Sequence, residues 1–547
     1  MPEILRSLPS LLYKWIEPNI REFNSDQQMK VWLVAMMIGT GISVITILFR
    51  EAIGLVQLPW LHDVSENIIS ASKDVPWYII LLAPVIGGVI VGWILENFLP
   101  AKRTLGVADV MEARTMAGRE LETKSALWSA AATIVSLGSG ASAGREGPMV
   151  HLGAALSSSL VKKLRLPAWS HKTLMASGVA AAVSASFNAP IAGVLFAHEI
   201  ILGHYARRSF VPIVIASVGG TIFSRLWFGD NAAFIIPEYQ ITSYWEIPAF
   251  ALLGLVCALV AVLFQFALIG TDYVVRHINV SLFFLPIAGG FLVGSIAVFF
   301  PHVLGVGYEA TDMALNNQLS IEIMFALIIA KTAATAITLA CRFGGGVFSP
   351  ALYLGAMTGG TFGLIASGVF PEMASSQGLY SILGMGAVAA AVLGAPVSTT
   401  MIVFELTGGY ALTMALLLAV SISTGINQAI HGHSYFEWQL RLRGLFHRDG
   451  PHKFVMRTTK VADFMRPIED GETEYLETAD DDPEPVVLLL SDNLEATLRT
   501  FDEGGHQRLP VIERVDSKQI IGWVTQARAL AHFNKELVKN SEEEHHV

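Results

Sequence analysis

The chain has 547 residues, of which 53% are hydrophobic and 15% are charged. Soluble proteins carry roughly 25% charged residues, so this composition excludes an ordinary soluble protein and predicts an integral membrane protein. The formal net charge is −10, of which −7 belongs to the last 107 residues, so nothing indicates nucleic acid binding. The two cysteines, Cys257 and Cys341, lie in apolar segments, which predicts neither a disulfide nor a cysteine-based metal site.

The first region, residues 1–30, is predicted to be an amphipathic cytoplasmic helix. Its apolar residues recur at helical spacing, and they are Ile4, Leu5, Leu8, Leu11, Leu12 and Trp15. Charged residues lie between them, a pattern typical of a helix at the membrane surface and not of a signal peptide.

Long apolar stretches follow from residue 31 to residue 430. They lie at about 31–49, 77–99, 126–140, 174–202, 211–227, 248–270, 283–300, 321–341, 350–370, 378–406 and 411–430. Several are shorter than the ~20 residues of a straight crossing and many contain Gly or Pro, which predicts tilted and broken helices. Basic residues before the first stretch and after the last place both termini in the cytoplasm, and we expect the inner cell membrane.

An internal repeat divides the apolar region into a first membrane repeat, residues 31–240, and a second, residues 241–445. Each copy has a small-residue run, an Ala-Pro pair and a Glu nine residues after the Pro. In the first copy these are residues 178–183, Ala189-Pro190 and Glu199. In the second copy they are residues 386–392, Ala395-Pro396 and Glu405. The copies are offset by 206 residues at these prolines and by 202 between Pro148 and Pro350. Repeats of interrupted helices are typical of transport proteins. Alternatively, the small residues serve only close helix packing.

The last region, residues 446–547, is predicted to be a cytoplasmic α/β tail. After an acidic linker, Glu469 to Glu484, the pattern predicts strand, helix, strand, strand, helix, with strands Arg508–Ile512 and Gln519–Val524. This order resembles one cystathionine-beta-synthase (CBS) module, a family whose members pair and sometimes bind adenine nucleotides. A single copy suggests pairing across a dimer, since one module alone would leave Leu490, Val511 or Ile521 poorly protected.

Two enzyme-like patterns fail on their structural context, so we expect neither an enzyme nor a metal site. Gly140-Ala-Ser-Ala-Gly144 fits a nucleophile elbow, but a helical membrane segment precedes it where a strand is required. His198 and His204 are six residues apart, about 240° around a helix, so they do not face one metal ion.

Two glycine-rich turns that end in proline carry the functional prediction: Gly144-Arg-Glu-Gly-Pro148 and Gly344-Gly-Gly-Val-Phe-Ser-Pro350. Each is a good helix start, with N–H groups that attract anions. Two such starts would form an anion site of backbone amides. The carboxylate of Glu146 would then occupy the site as a tethered substitute for the ion, and its protonation would release it. Alternatively, Glu146 only pairs with Arg145.

These motifs resemble those of the CLC family of chloride channels and chloride/proton exchangers. Gly144 to His151 matches G-[KR]-E-G-P-x-x-H, Gly346 to Pro350 matches G-x-F-x-P, and Phe187 to Gly193 matches the stretch after the gate helix. The resemblance implies two inverted repeats and a homodimer with one pore in each subunit. It also implies that Glu146 is the gate and that the anion is bound by the turns around it, at Gly144, Arg145, Gly147, Val347 and Phe348.

The chain departs from the family pattern at three positions. Leu105, before Gly106, replaces the serine whose hydroxyl coordinates the anion. Phe436 replaces the inner tyrosine, with Tyr435 one place away, and Ile200, after Glu199, replaces the proton-transfer glutamate. These departures put the usual anion preferences and proton coupling in doubt.

The sequence therefore predicts an all-α polytopic membrane protein with a small α/β tail that moves chloride or other small anions. We expect a channel or a weakly proton-coupled transporter without a cofactor. The alternatives are a strict antiporter that uses Glu199, His198 or water as its inner proton route, and a regulatory sensor whose output is the tail.

Overall fold

A computed structural model of the chain describes most of residues 15–545. The residues left out of this range are 22, 26, 116–119, 230–233, 235–238, 408–411, 446–451, 453–454, 457–458, 470–474, 476–485 and 515–518. The predicted N-terminal helix up to residue 14 and nearly all of the acidic linker lie outside the described residues. The chain divides into two compact units, Met1–Phe436 and Glu437–Val547.

Helices form almost all of the first unit. In its first half they are α1 (Gln28–Leu61), α2 (Ile68–Ser72), α3 (Trp77–Asn97), α4 (Val107–Thr115), α5 (Thr123–Gly138), α6 (Glu146–Lys163), α7 (Ala168–Phe187), α8 (Pro190–Phe196) and α9 (Arg207–Phe228). A π-helical turn, Ala197–Leu202, continues α8.

The second half contains helices in a similar order. They are α10 (Ile247–His277), α11 (Phe284–Phe299), α12 (Tyr308–Leu315), α13 (Ile321–Ala340), α14 (Phe348–Val369), α15 (Gln377–Leu393), α16 (Pro396–Thr407), α17 (Thr413–Ile430) and α18 (Tyr435–Arg441), the last of which runs past the boundary between the two units. Within the described residues, seven helices are long and apolar enough to cross a membrane. The prediction of an all-α polytopic membrane fold with broken helices is confirmed.

Each half contains a reciprocal glycine contact between two of its helices, and the two contacts involve equivalent helices. A Cβ at Gly355 of α14 would lie 2.3 Å from the carbonyl oxygen of Gly384 of α15, and a Cβ at Gly384 would lie 2.3 Å from the carbonyl oxygen of Gly355. Gly153 of α6 and Gly178 of α7 make the same exchange, with 2.6 and 2.5 Å. The glycine pairs repeat at the offsets of the sequence motifs, so the small residues serve close packing and also follow the repeat.

Two carboxylates cap helices of the opposite half. Glu405 of α16 accepts hydrogen bonds from the amides of Ile191, at 3.1 Å, and Ala192, at 2.7 Å, in the first turn of α8. Glu199 accepts from the amides of Val397, at 3.2 Å, and Ser398, at 2.7 Å, in the first turn of α16, and from the Ser398 hydroxyl. We call this pair of contacts the reciprocal clasp. It satisfies helix-end amides that the proline-started helices leave without an intrahelical partner.

The second unit contains a four-stranded sheet and three described helices. The helices are α19 (Val461–Phe464), α20 (Leu494–Gly504) and α21 (Gln526–His545), and the strands are β1 (Arg466–Pro467), β2 (Leu488–Leu489), β3 (Arg508–Ile512) and β4 (Ile520–Thr525). The sheet order is β1-β4-β3-β2, with β2 and β3 parallel and the other pairs antiparallel. The predicted sequence of strand, helix, strand, strand, helix is thus present.

The expectation that a single tail module leaves its core unprotected is wrong for Val511. That side chain is fully buried, in a cluster with Leu494, Phe501 and Val524, because α20 and α21 belong to the same apolar core as the sheet. Leu490 and Ile521 are partly buried against the same cluster. Protection of this core therefore gives no argument for a second module.

Replacement of Gly384 by alanine should destabilise the membrane unit, because the new Cβ meets backbone that has no room to retreat. Overpacking of this kind costs about 1–3 kcal/mol. Thermal unfolding of the purified protein in detergent should show a lower midpoint for Gly384→Ala than for the control Gly368→Ala, whose Cβ on α14 has open space. Equal midpoints for the two variants would contradict the close contact.

The reciprocal clasp should contribute measurably to stability. Glu405→Gln keeps the shape of the side chain but removes the charge that faces the first turn of α8, which should cost about 1–2 kcal/mol. Denaturation in detergent should report this loss, while Glu96→Gln, on an exposed part of α3, should change little. An unaltered stability of Glu405→Gln would show that the carboxylate is not needed as a cap.

Candidate functional site

The two glycine-rich turns meet in a short antiparallel bridge. The amide of Gly144 donates to the carbonyl of Gly346 at 2.7 Å, and the amide of Gly346 donates to the carbonyl of Gly144 at 2.7 Å. We call this pair of hydrogen bonds the glycine bridge. Because α6 begins two residues after Gly144 and α14 two residues after Gly346, the bridge holds two helix starts side by side.

Side chains added at or beside the bridge would crowd the turns. A Cβ at Gly345 would lie 2.3 Å from the Cβ of Ala143, and a Cβ at Gly346 would lie 3.3 Å from the Gly147 amide nitrogen. The first contact is too short for any side chain, and the second would require the Gly147 backbone to shift by a few tenths of an ångström. The close approach of the two turns therefore depends on glycine at these positions.

Glu146 lies between the two helix starts and is 1% exposed. Its Oε1 accepts a hydrogen bond from the Ser349 hydroxyl of α14 at 2.6 Å, and the Tyr308 hydroxyl of α12 lies 3.5 Å from the same oxygen. Its Oε2 has no hydrogen-bond partner among the other residues that the structure describes. A Cβ at Gly144 would lie 2.7 Å from Oε2, so the carboxylate lies over the glycine turn.

In the part of the chain that the structure describes, Arg145 forms a salt bridge with Glu66 and not with Glu146. Glu66 also binds Arg50, with 2.8 Å between Arg50 Nε and Glu66 Oε1. The Arg145 guanidinium lies 5.0 Å from the centre of the Tyr308 ring. The alternative in which Glu146 only pairs with Arg145 therefore has no support in the geometry.

Val347 and Phe348 form the start of α14, and both are buried. The Phe348 ring lies 5.0 Å from the ring of Phe187 at the end of α7 and 5.9 Å from that of Phe196 at the end of α8. The residues before α6 and α14 supply no side-chain cap. Carboxylates of the opposite half cap α8 and α16, whereas at α6 and α14 the nearby carboxylate is Glu146.

Leu105 and Gly106 lie just before α4 and bind other groups through their amides. The Leu105 amide donates to the Ser129 hydroxyl at 2.8 Å, and the Gly106 amide donates to Asp109 Oδ2 at 2.8 Å. Tyr435 and Phe436 are buried at the start of α18, with ring centres 6.2 Å apart. No described hydrogen bond brings these four residues to Glu146.

Ile200 and Glu199 lie on the π-helical turn that follows α8. Ile200 is buried, while both carboxylate oxygens of Glu199 are engaged by the start of α16. His198 Nδ1 lies 2.9 Å from the carbonyl oxygen of His204. Among the described residues there is no group of three or more metal-binding side chains.

The sequence interpretation missed two of the groups around Glu146. Ser349 stands inside the Gly346–Pro350 motif, where a hydroxyl next to the helix-starting proline is a signal in the sequence. Tyr308 had no such signal, because α12 brings it to Glu146 across 162 positions of the chain.

Comparison with known proteins gives a family for this geometry. A family model described as voltage gated chloride channel matches residues 87–428, more than half of the chain. A ClcB-like chloride channel protein of Ralstonia nicotianae is 30% identical over 390 residues, which cover 71% of this chain and 91% of that protein. The voltage-gated ClC-type chloride channel ClcB of Citrobacter koseri is 26% identical over 409 residues, covering 74% and 97%.

Solved structures show the same fold. A slow cyanobacterial Cl−/H+ antiporter gives a TM-score of 0.68 at 21% identity, covering 76% of this chain and 97% of the other. A CLC-type fluoride/proton antiporter gives 0.63 at 19% identity, covering 75% and 98%. The predicted architecture of two inverted repeats is confirmed. Motifs, family match and fold agree, and the chain belongs to the CLC family of voltage-gated chloride channels and related transporters.

Proposed function

We propose that this CLC protein moves chloride through one pore in each subunit of a homodimer, with Glu146 as the gate and with weak proton coupling or none. The observation that supports the gate is the position of the buried Glu146 carboxylate between the starts of α6 and α14. The same turns, at Gly144, Arg145, Gly147, Val347 and Phe348, would bind the anion.

The two helix starts favour a negative charge without a fixed cation. Exposed amides and the positive ends of the helix dipoles attract anions, and such a site is weak enough to release its ion. In the described state the carboxylate of Glu146 supplies that charge. Removal of the carboxylate, by protonation or by rotation of the side chain, would leave the same donors for chloride.

Glu146 is held by few contacts for a buried carboxylate. One oxygen accepts from Ser349 and the other has no partner among the remaining described residues. A buried carboxylate with unfilled hydrogen-bonding capacity is costly in its charged form. This arrangement suits a group that leaves and returns.

Two features support weak proton coupling. The aliphatic side chain of Ile200 relays no proton, and it is buried in the membrane unit. Glu199, the neighbouring acid, uses both oxygens as a helix cap. At the inner end of the pathway, near Tyr435, the family's coordinating hydroxyls are missing at Leu105 and Phe436, which concerns anion preference and not the proton route.

A strict chloride/proton antiporter is the second candidate. Two of the structurally similar proteins are described as antiporters. In this chain the inner proton route would have to use water, His198 or a Glu199 released from the clasp.

The other expectations remain part of the proposal. We place the protein in the inner cell membrane with both termini in the cytoplasm, without a cofactor for transport. The sheet of the tail fits a CBS-like module. Titration of the protein with adenine nucleotides would measure whether this module binds them.

Glu146→Gln imitates the protonated gate. Chloride efflux from proteoliposomes should rise or lose its dependence on external pH, because the neutral amide no longer competes with chloride for the helix starts. Glu96→Gln, exposed on α3, serves as the charge-matched control. If flux and pH response of Glu146→Gln equal those of the unmodified protein, the gate assignment is wrong.

Weak coupling predicts little uphill proton movement in vesicles that hold a chloride gradient. Simultaneous recording of chloride and pH should show chloride efflux without stoichiometric proton uptake. A fixed chloride-to-proton ratio, with protons driven against their own gradient, would refute this prediction and favour the antiporter.

A further inference from the structure

We propose that the Ser349 hydroxyl is a selectivity-determining donor of the anion site. In the structure this hydroxyl holds Glu146, and it binds the anion when the carboxylate leaves. It thereby supplies a hydroxyl donor in a pathway whose usual hydroxyls are missing at Leu105 and Phe436. This inference rests on the proposed function of Glu146.

The hydroxyl of Ser349 is free from the bond that helical hydroxyls usually make. Serine and threonine inside a helix commonly donate to the carbonyl four residues earlier. Ser157 of α6 does so to Gly153 at 2.7 Å, and Thr358 of α14 does so to Leu354 at 2.7 Å. Ser349 is the second residue of α14, and its hydroxyl donates instead to Glu146 Oε1 at 2.6 Å.

The contact is buried on both sides. Ser349 is 5% exposed and Glu146 is 1% exposed, so little water is available to take over the hydrogen bond. A charge-assisted O–H donor to a carboxylate is among the stronger hydrogen bonds. An anion that takes the place of the carboxylate oxygen would meet the same donor.

Because residue 144 is a glycine, there is room beside this donor for the Glu146 carboxylate. A Cβ at Gly144 would lie 2.7 Å from Glu146 Oε2 and 3.1 Å from the Ser349 amide nitrogen. The carboxylate, the Ser349 amide and the Ser349 hydroxyl therefore border one small volume. Tyr308, with its hydroxyl 3.5 Å from Oε1, lies farther from the same oxygen.

A hydroxyl in this position should favour strongly hydrated anions. Chloride loses more hydration free energy than thiocyanate on entering a site, so it depends more on strong donors that replace water. Loss of the hydroxyl leaves the backbone amides, which serve both anions. The selectivity for chloride over thiocyanate should then fall.

The test compares chloride and thiocyanate flux in proteoliposomes for Ser349→Ala, Ser349→Thr and Ser157→Ala of the full chain. The chloride-to-thiocyanate ratio should fall about tenfold in Ser349→Ala, the factor expected for a hydrogen bond to a charged group. Ser349→Thr keeps a hydroxyl and should keep most of the ratio. Ser157→Ala removes a buried hydroxyl outside the site and should leave the ratio unchanged.

The same substitution in the Glu146→Gln background separates this inference from the gate. There the gate no longer responds to pH, so any loss of chloride selectivity, or of chloride affinity by calorimetric titration, belongs to the anion site. An unchanged ratio and affinity in both backgrounds would overturn the role of Ser349 while leaving the gate assignment intact. An equal fall in Ser157→Ala would overturn it too. A Glu146→Gln protein that behaves as wild type would instead refute the proposed gate.

Discussion

The fold of the membrane unit depends on two hydrogen bonds between glycines that are 202 positions apart in the chain. The amides and carbonyls of Gly144 and Gly346 form hydrogen bonds with one another. Without this pairing, the two turns would leave backbone groups without partners in an apolar interior. That pairing fixes the distance between the starts of α6 and α14. Glu146 on α6 and Ser349 on α14 take their positions from these two starts.

Carboxylates recur at helix starts in this unit, with different degrees of engagement. Glu199 and Glu405 each use both oxygens on amides of the opposite half. Glu309 likewise accepts from the amides of Ile69 and Ser70 at the start of α2. Glu146 differs because one of its oxygens has no partner among the other described residues. The same side chain type is thus a fixed cap at three places and is incompletely held at the fourth.

The repeat and the position of the site could be predicted from the sequence, because both depend on local signals. Glycine and proline at fixed spacing specify helix starts, and the matching offsets of the two copies indicate a common arrangement. The glycine pairs Gly153–Gly178 and Gly355–Gly384 then follow from the same pattern of small residues.

The partners of the charged groups could not be predicted in this way. Arg145 adjoins Glu146 in sequence, yet its salt bridge is with Glu66, because residues next to each other at a helix start point in different directions. Tyr308 reaches Glu146 only through the packing of α12. In the tail, the burial of Val511 depended on the closure of α20 and α21 over the sheet, which is a tertiary property that no local pattern carries.

The reciprocal clasp also constrains how the protein is made. During synthesis, α8 leaves the ribosome more than 200 residues before Glu405. The first amides of α8 therefore have no capping carboxylate until the second half has been made. The start of α16, in turn, is completed by a residue of the half that was made first. Neither half is therefore a finished folding unit, and a gene divided between them would yield two fragments that require each other to become stable.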